Sequence, residues 1–436
     1  MRVALAISTL LLAAGGLVVA WFLIRGPPAG VEPSAAGSAV SSVAGRPTIA
    51  VLPFVNISGD AEQEYFVDGM TEDLITDLSK VSGLLVIARN STFVYKNKPV
   101  KVQDVGRELG AAYVVEGSVR RAGDRLRITA QLLRSDTGHH LWAERYDRTI
   151  TDVFTLQDEV VEKIVAAPAV RFPTRERGLV KRVPTDSLEA YDYFLRARSY
   201  AWRLAEQDHL RARELYGKAL ELDPKFGAVY SWLALSHVTS WFLQWTDDVD
   251  TMDRAVELAE KAVAVDSADA GSHAVLGAVY GFAKRYDEGM AAARRSLEIN
   301  PSEAMAYLAL GTIANHQGRS DDALRALEMS LRIDPVGNPA VFFHMGVAYQ
   351  NLGKFEAAMA NFRRATRLAP DFSSAHAMLA YLLIKAGQPK RAAESVQEVL
   401  RINPEYSVAE SLRRLPVADE ALIGDWAEVL REAGLK

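Results

Sequence analysis

Six carboxylates, Glu62, Glu64, Asp68, Glu72, Asp73 and Asp77, fall within the sixteen residues from 62 to 77. That density invites a hard divalent cation, which takes about six to eight oxygen ligands. The spacing argues otherwise. In a helix beginning near Ala61, Glu64, Asp68 and Glu72 recur at i, i+4 and i+8 on one face. Val67, Met70, Leu74, Ile75 and Leu78 line another face. One helical face supplies too few oxygens to close a cation shell. The stretch therefore reads as an amphipathic helix with Ser58 or Asp60 as N-cap, early acids that suit the helix dipole, and a solvated acidic face. A cation site on Glu64 and Asp68, or a surface for a partner's basic patch, are the competing readings.

His139 and His140 are adjacent at the start of a predicted strand, beside Trp142 and Glu144. Strand neighbours point to opposite faces, so the two imidazoles cannot easily share an ion. His237, His273, His316, His344 and His376 fall on the first helices of a helical repeat, where one face lines an inner groove. Trp241, Phe242 and Trp245 cluster with Leu243 beside Asp247, Asp248 and Asp250. They either pack an enlarged loop onto neighbouring repeats or anchor a partner, as exposed aromatics often do. The candidate partner-binding residues are thus Trp241, Phe242, Trp245, His273 and His344. The chain has no cysteine, which removes thiolate nucleophiles, disulfides and cysteine zinc sites. Gly-x-Ser-x-Gly, Gly-x-x-x-x-Gly-Lys-Ser/Thr and His-Glu-x-x-His do not occur either. No catalytic, cofactor-binding or metal-ligating constellation emerges, so the chain reads as non-enzymatic.

These residues must be held by elements that composition and periodicity outline. A length of 436 residues, 49% hydrophobic and 24% charged, suits two or three globular domains. The formal charge of −5 offers no basic field to nucleic acid, and no nucleic-acid partner is expected. Val3 to Ile24 is an uncharged apolar run between Arg2 and Arg25. At about 1.5 Å per residue it spans a hydrocarbon core of about 30 Å and is too long for a secretory signal. It predicts a transmembrane helix over 3–24, followed by a flexible linker of small residues and proline over 25–46. Arg2 and the α-amine slightly outweigh Arg25, which places the bulk of this single-pass chain outside the cytoplasm.

Residues 47–170 alternate strand and helix signals. TIAVLPF (48–54) and LLVIAR (84–89) read as strands, and VKVQDVGRELG as a short helix that Gly110 closes. AAYVVEGSVRR and RLRITAQLLRS flank an Ala-Gly-Asp turn, Asp136-Thr-Gly138 turns into HHLWAERYDR, and 153–167 is an amphipathic helix. The result is an α/β domain with a mixed sheet.

Beyond Thr185 the tripeptides Leu222-Asp-Pro, Ile299-Asn-Pro, Ile333-Asp-Pro, Leu368-Ala-Pro and Ile402-Asn-Pro recur. Pro301, Pro335, Pro370 and Pro404 are 34, 35 and 34 residues apart, the tetratricopeptide period. Six repeats are expected over 186–406, at 193–226, 227–269, 270–303, 304–338, 339–372 and 373–406. The second is extended around TSWFLQWTDDVDT. Residues 407–436 supply the capping helices that such arrays need. The fold class is therefore an α/β mixed-sheet domain followed by an all-α tetratricopeptide superhelix.

The runs PTIAVLPFVNISGDAEQEYFVDGMTEDLITDLSK, VIARNSTFVYKN, VGRELGAAYVVEGSVRRAGDRLRITAQL and TGHHLWAERYDR together resemble a bacterial TolB amino-terminal-like domain. The resemblance covers about residues 47–168. It implies repeats after the domain, as here, and in many relatives a class III adenylate/guanylate cyclase or winged-helix domain before a membrane helix. Met1 is followed almost at once by the apolar run, so neither output domain is expected in this chain, and the family carries over no active-site residue. Two functions are expected from these residues. The first is a membrane-anchored scaffold or sensor that binds a protein or peptide through the superhelix and the α/β domain. The second is a detached sensory subunit of a cyclase or membrane-bound transcription regulator.

Overall fold

The computed structural model describes residues 46–81, 83–167, 185–203, 205–414 and 420–435. The apolar span 3–24 and nearly all of the 25–46 linker lie outside the described residues. Among the described residues, no helix is long and apolar enough to cross a membrane.

The first domain is a mixed sheet in the order β3-β1-β4-β5-β6. β1 (Thr48–Val51) runs parallel to both β3 (Leu85–Val86) and β4 (Tyr113–Ala122), and the short β2 (Val55–Asn56) extends β1's pairing along β4. β4, β5 (Arg125–Arg134) and β6 (His140–Thr149) form an antiparallel meander, with Ala122 opposite Arg125. Gly123 turns the first hairpin at φ +60°, a left-handed conformation that glycine adopts without a Cβ penalty. Side chains alternate across the sheet. Val51, Val115, Val119, Ile128 and Leu132 face α1 (Glu64–Ser79) and α4 (Val153–Ala166) in the main core. Ala50, Leu52, Ile87 and Val114 face α3 (Val102–Leu109) on the other side. The expected strand 84–89 is shorter than its apolar run suggests. Its ladder holds only Leu85 and Val86, and Arg89 already opens α2 (Arg89–Phe93). Among the described residues no further strand lies beyond it, and Ile333 and Ser302 of the helical domain meet that edge.

Six antiparallel helix pairs follow. They are α5 (Leu188–Ala201) with α6 (Glu206–Leu222), α7 (Gly227–Phe242) with α8 (Thr251–Val265), and α9 (Ala270–Phe282) with α10 (Tyr286–Ile299). Then come α11 (Ala304–His316) with α12 (Ser320–Ile333), α13 (Pro339–Asn351) with α14 (Phe355–Leu368), and α15 (Ser373–Lys385) with α16 (Pro389–Ile402). α17 (Val408–Arg414) and α18 (Glu420–Glu432) end the array. Within a pair, small residues allow close approach. A Cβ on Gly346 of α13 would stand 2.6 Å from the Phe362 ring of α14. α8 ends at Asp266, with φ −140°, before Ser267. The other five second helices stop at Asp223, Asn300, Asp334, Ala369 and Asn403, with φ between −140° and −122°. Each precedes a proline, whose ring disfavours the helical conformation at the residue before it. The additional residues of the second pair lengthen α7 and form the 243–250 loop. The core of the sheet domain continues without a break into Tyr191, Phe194, Leu195, Tyr216 and Phe226 of the first repeats.

Candidate functional site

The acidic face of α1 is not solvated. Asp60 does cap the preceding 3-10 turn, accepting from the Glu62 amide at 2.9 Å. Beyond that turn the carboxylates find cations of the same chain. Lys96 bridges Glu64 at 2.9 Å and Asp68 at 2.5 Å. Glu72, only 7% exposed, takes Arg89 at 2.5 Å and Arg198 at 2.8 Å and accepts from the Trp202 indole at 3.3 Å. Asp73 accepts from Arg198 at 3.1 Å and from the Tyr191 hydroxyl. Arg198 also donates to the Gly69 carbonyl at 3.0 Å, and Arg89 stacks between Phe93 and Trp202. The expectation of a wet face failed because helical periodicity cannot see a guanidinium 125 residues away in sequence. These carboxylates are engaged by ammonium and guanidinium groups, and among the described residues no group of three His, Asp or Glu is placed to hold a metal.

A second anchorage lies on the turns after α10 and α12. Asn300 donates to the Ser79 hydroxyl at 2.9 Å, and Ser302 lies within 3.5 Å of the Val86 amide at the β3 edge. The Ala88 amide donates to the Ile333 carbonyl at 2.9 Å, and Ser91 and Asn90 donate to Asp334 at 2.5 and 3.2 Å. Asn300 and Asp334 are the central residues of two of the recurring tripeptides. The repeat signature thus doubles as a docking site for the sheet domain.

Between the two anchorages lies a chamber of about 920 Å³, walled by α1 on one side and by the first helices of the repeats on the other. Phe194, Trp202, Trp232, Phe282, Met305 and Leu308 are among its apolar lining. Asp77 and Glu303 add carboxylates. Burial pushes Asp77 up to about 6, against the pull of Lys80 at 2.6 Å. Burial, reinforced by the negative charge of Asp269, pushes Glu303 up to about 7. The volume lies in the range of about 300–1,000 Å³ typical of ligand pockets, and apolar walls with a few convergent polar groups are their usual chemistry.

The structure brings only two of the five candidate residues to this chamber, Phe242 and His344. Phe242 packs against Phe282, Phe343 and Phe372 at centroid distances of 5.5, 5.7 and 6.0 Å. His344 is 3% exposed, and burial lowers it to about 3, so it is neutral across the physiological range. His273 places Nε2 3.0 Å from the Ser267 carbonyl, the same local contact that His376 makes with Pro370. Trp245 stands edge-on to His209. Trp241 lies under the Arg414 guanidinium, which also donates to the Trp241 carbonyl. Gln244 and Ser407 exchange hydrogen bonds of 3.3 and 3.5 Å. The irregular loop thus ties the second repeat to α17, the end of the array.

Sequence reasoning missed Arg198, Arg89, Asn300 and Asp334. A signal for Arg198 was present: it lies seven residues after Tyr191 on the stripe shared by Phe194 and Leu195. A charge on an apolar stripe requires a buried partner.

Residues 275–338 and 351–415 match family models described as tetratricopeptide repeat. Residues 45–165 match the model described as HilA/YgeH-like transcriptional regulator, second domain. A curated relative, "Putative adenylate cyclase 3" of Rhizobium meliloti (strain 1021), is 43% identical over 257 residues. That alignment covers 59% of this chain and 44% of the relative, so the matched part is less than half of the relative's length. Similar solved structures include the APC/C hetero-tetramer Cut9-Hcn1, with 16% identity, TM-score 0.42, and coverage of 56% of this chain and 43% of that one. YrrB, a TPR protein with an unusual peptide-binding site, has 20% identity, TM-score 0.29, and coverage of 45% and 95%. The chain carries tetratricopeptide repeats, and the domain before them is similar to the second domain of HilA/YgeH-like regulators.

Proposed function

We propose that this chain is a non-catalytic regulatory module whose chamber receives a segment of a protein or peptide partner. The observation that carries the reading is the partly open, largely apolar cleft lined by residues of both domains. An occupant that fills the cleft touches α1 and the repeats at once. Tetratricopeptide arrays present an extended concave surface to partners, which supports a macromolecular occupant. Residues 3–24 anchor the module in a bacterial inner membrane, with the described domains in the periplasm. Residues 47–168 share ancestry with TolB amino-terminal-like domains.

The test uses the full chain in cells, with a photo-crosslinking phenylalanine analogue at Ala228 in the chamber wall or, as control, at exposed Arg295. A discrete adduct from position 228 and none from 295 is expected. Equal adducts from both, or none from 228, would remove the chamber from recognition.

A second reading is favoured by the relative's name. In it, the chain is the sensory part of an adenylate/guanylate cyclase system or of a membrane-bound transcription regulator. Cyclic nucleotide levels that fall on deleting the chain, return with the full chain and stay low with Arg198→Met would support the cyclase form. Unchanged levels would count against it.

A further inference from the structure

The two edges of the sheet are treated differently. The β3 edge is covered: the Ala88 amide is used by Ile333, and Ser302 lies against Val86. Among the described residues, no strand pairs with the outer edge of the ten-residue β6. The Ile150 amide bonds to the Asp124 carbonyl, which fixes the phase of the ladder. In an antiparallel pair the bonded residues alternate. Trp142, Glu144, Tyr146 and Arg148 therefore spend their backbone groups on β5, and Ala143, Arg145, Asp147 and Thr149 aim theirs outward. All four of these residues are exposed. No backbone partner meets them among the described residues. A long bare edge of this kind is a template for another strand.

We propose that β6 pairs antiparallel with β6 of a second copy of this chain, about a twofold axis through Tyr146. The charge pattern selects both the occupant and the register. In an isologous strand pair the central residue faces itself. Centring on Glu144, Arg145, Asp147 or Arg148 sets like charges opposite, which is destabilising. Among the five middle residues, 144–148, only centring on Tyr146 avoids this, and it also pairs more of the strand than centring nearer either end. It sets Arg145 opposite Asp147 and Glu144 opposite Arg148, each twice, and Ala143 opposite Thr149. The outward amides and carbonyls of 145 and 147, and of 143 and 149, then fall into bonded pairs. Within one chain Asp147 accepts from Arg127 at 2.6 Å and lies 3.6 Å from Arg145, Glu144 pairs with Lys163 at 3.0 Å and Arg148 with Glu159 at 3.1 Å. Arg145 and Asp147 have side chains 66% and 52% exposed, so a facing strand can share these carboxylates with the cations already on them. The pairing is independent of what the chamber binds.

The test is the mass of the full chain in mild detergent, by sedimentation or light scattering. Wild type is expected to be a dimer. Arg145→Asp should weaken it about tenfold or more, because two attractive cross-strand pairs become repulsive. The swapped variant Arg145→Asp/Asp147→Arg should restore it. Both positions are on the surface, and circular dichroism will verify that the variants fold. Because the chain has no cysteine, Ala143→Cys/Thr149→Cys adds a direct readout. Opposed residues there sit about 5.5 Å apart at Cα, within disulfide reach. Residues 143 and 149 of one strand lie about 20 Å apart. An oxidised dimer should therefore form from the double variant, and from neither single one. A monomeric wild type, a dimer unaffected by Arg145→Asp, or a swap that fails to recover would each overturn the proposal. So would a monomer whose 143, 145, 147 and 149 amides resist exchange, which would mean that another segment of the chain covers the edge.

Discussion

Arg198→Met tests whether the ionic anchorage fixes the sheet domain to the repeats. Methionine keeps most of the packing of the arginine stem and removes the charge. The guanidinium is nearly inaccessible, its side chain 8% exposed, and it serves Glu72, Asp73 and the Gly69 carbonyl. Once it is gone, Glu72 keeps Arg89 and Trp202, and Asp73 keeps Tyr191 and Gln157. Breaking one side of a buried pair costs about 3–5 kcal/mol, because the other side stays buried and uncompensated. The residual partners place this case near the lower end, at about 3 kcal/mol. Hydrogen exchange on the full chain is the assay, since a two-domain chain need not unfold in one step. Amides of α1 from Gly69 to Asp73 should exchange about a hundredfold faster. Those of β4 and β5 should change much less. The triple variant Glu72→Gln/Asp73→Asn/Arg198→Met should recover most of the loss, because neutral amides need no counter-charge. An acceleration below about threefold, or a triple variant worse than the single one, would refute the reasoning and reduce the cluster to the small value of a surface pair.

Glu303 titrates near 7 and Asp77 near 6, both raised by burial. The folded state holds these protons more tightly than the unfolded chain, so stability rises as pH falls from about 8 towards 5 and levels off below the unfolded values. Glu303→Gln should flatten that slope and stabilise at pH 8 by on the order of 1–2 kcal/mol, read from urea midpoints. Gly346→Ala should destabilise by about 1–2 kcal/mol despite better helix propensity, since its Cβ meets Phe362 at 2.6 Å. Phe362→Leu in the same chain should recover part of that loss in a thermal melt. Arg414→Ala removes the charged hydrogen bond to Trp241 and the stacking over its ring. It should speed exchange across 408–414 by about tenfold or more and leave α1 unchanged.

What the sequence made legible was whatever repeats or alternates locally. The 34-residue spacing of prolines, the Gly123 turn and the Gly110 helix end, at φ +64°, are each written within a few residues of where they act. The acidic helix was half legible. Its apolar face follows from spacing, and the fate of its charges does not. Glu72 and Arg198, or Ser91 and Asp334, meet across more than a hundred residues, and no local period encodes that. The aromatic loop shows the same limit. Trp241, Phe242 and Trp245 stood out as an irregularity in a regular array, but sequence alone could not say that Phe242 reaches the chamber, Trp241 reaches Arg414 of α17 and Trp245 meets His209. The interface residues were hidden differently. Asn300 and Asp334 sit in the tripeptides that define the repeat, so a structural role accounted for them before a second one was sought.

The two anchorages differ in what it takes to separate them. On the α5 side, parting the domains exposes Tyr191, Phe194 and Leu195, which are packed into the core of the sheet domain, and separates Arg198 from Glu72 and Asp73. On the α10 and α12 side the contacts are hydrogen bonds without an ion pair: those from Asn300 to Ser79 and from Ala88 to Ile333 are neutral and replaceable by water at about 1 kcal/mol each, and Asn90 and Ser91 donate to the Asp334 carboxylate, which water can also solvate. The chamber lies between a wall that is expensive to move and one that yields. An occupant too large for about 920 Å³ would therefore displace the turns at Asn300 and Asp334 first, and with them the β3 edge to which they are bonded. A ligand shifts a conformation only by the difference in its affinity for the two states. This asymmetry supplies such a difference at one defined place, and under the regulatory reading it gives the sheet domain a means to register what the repeats hold.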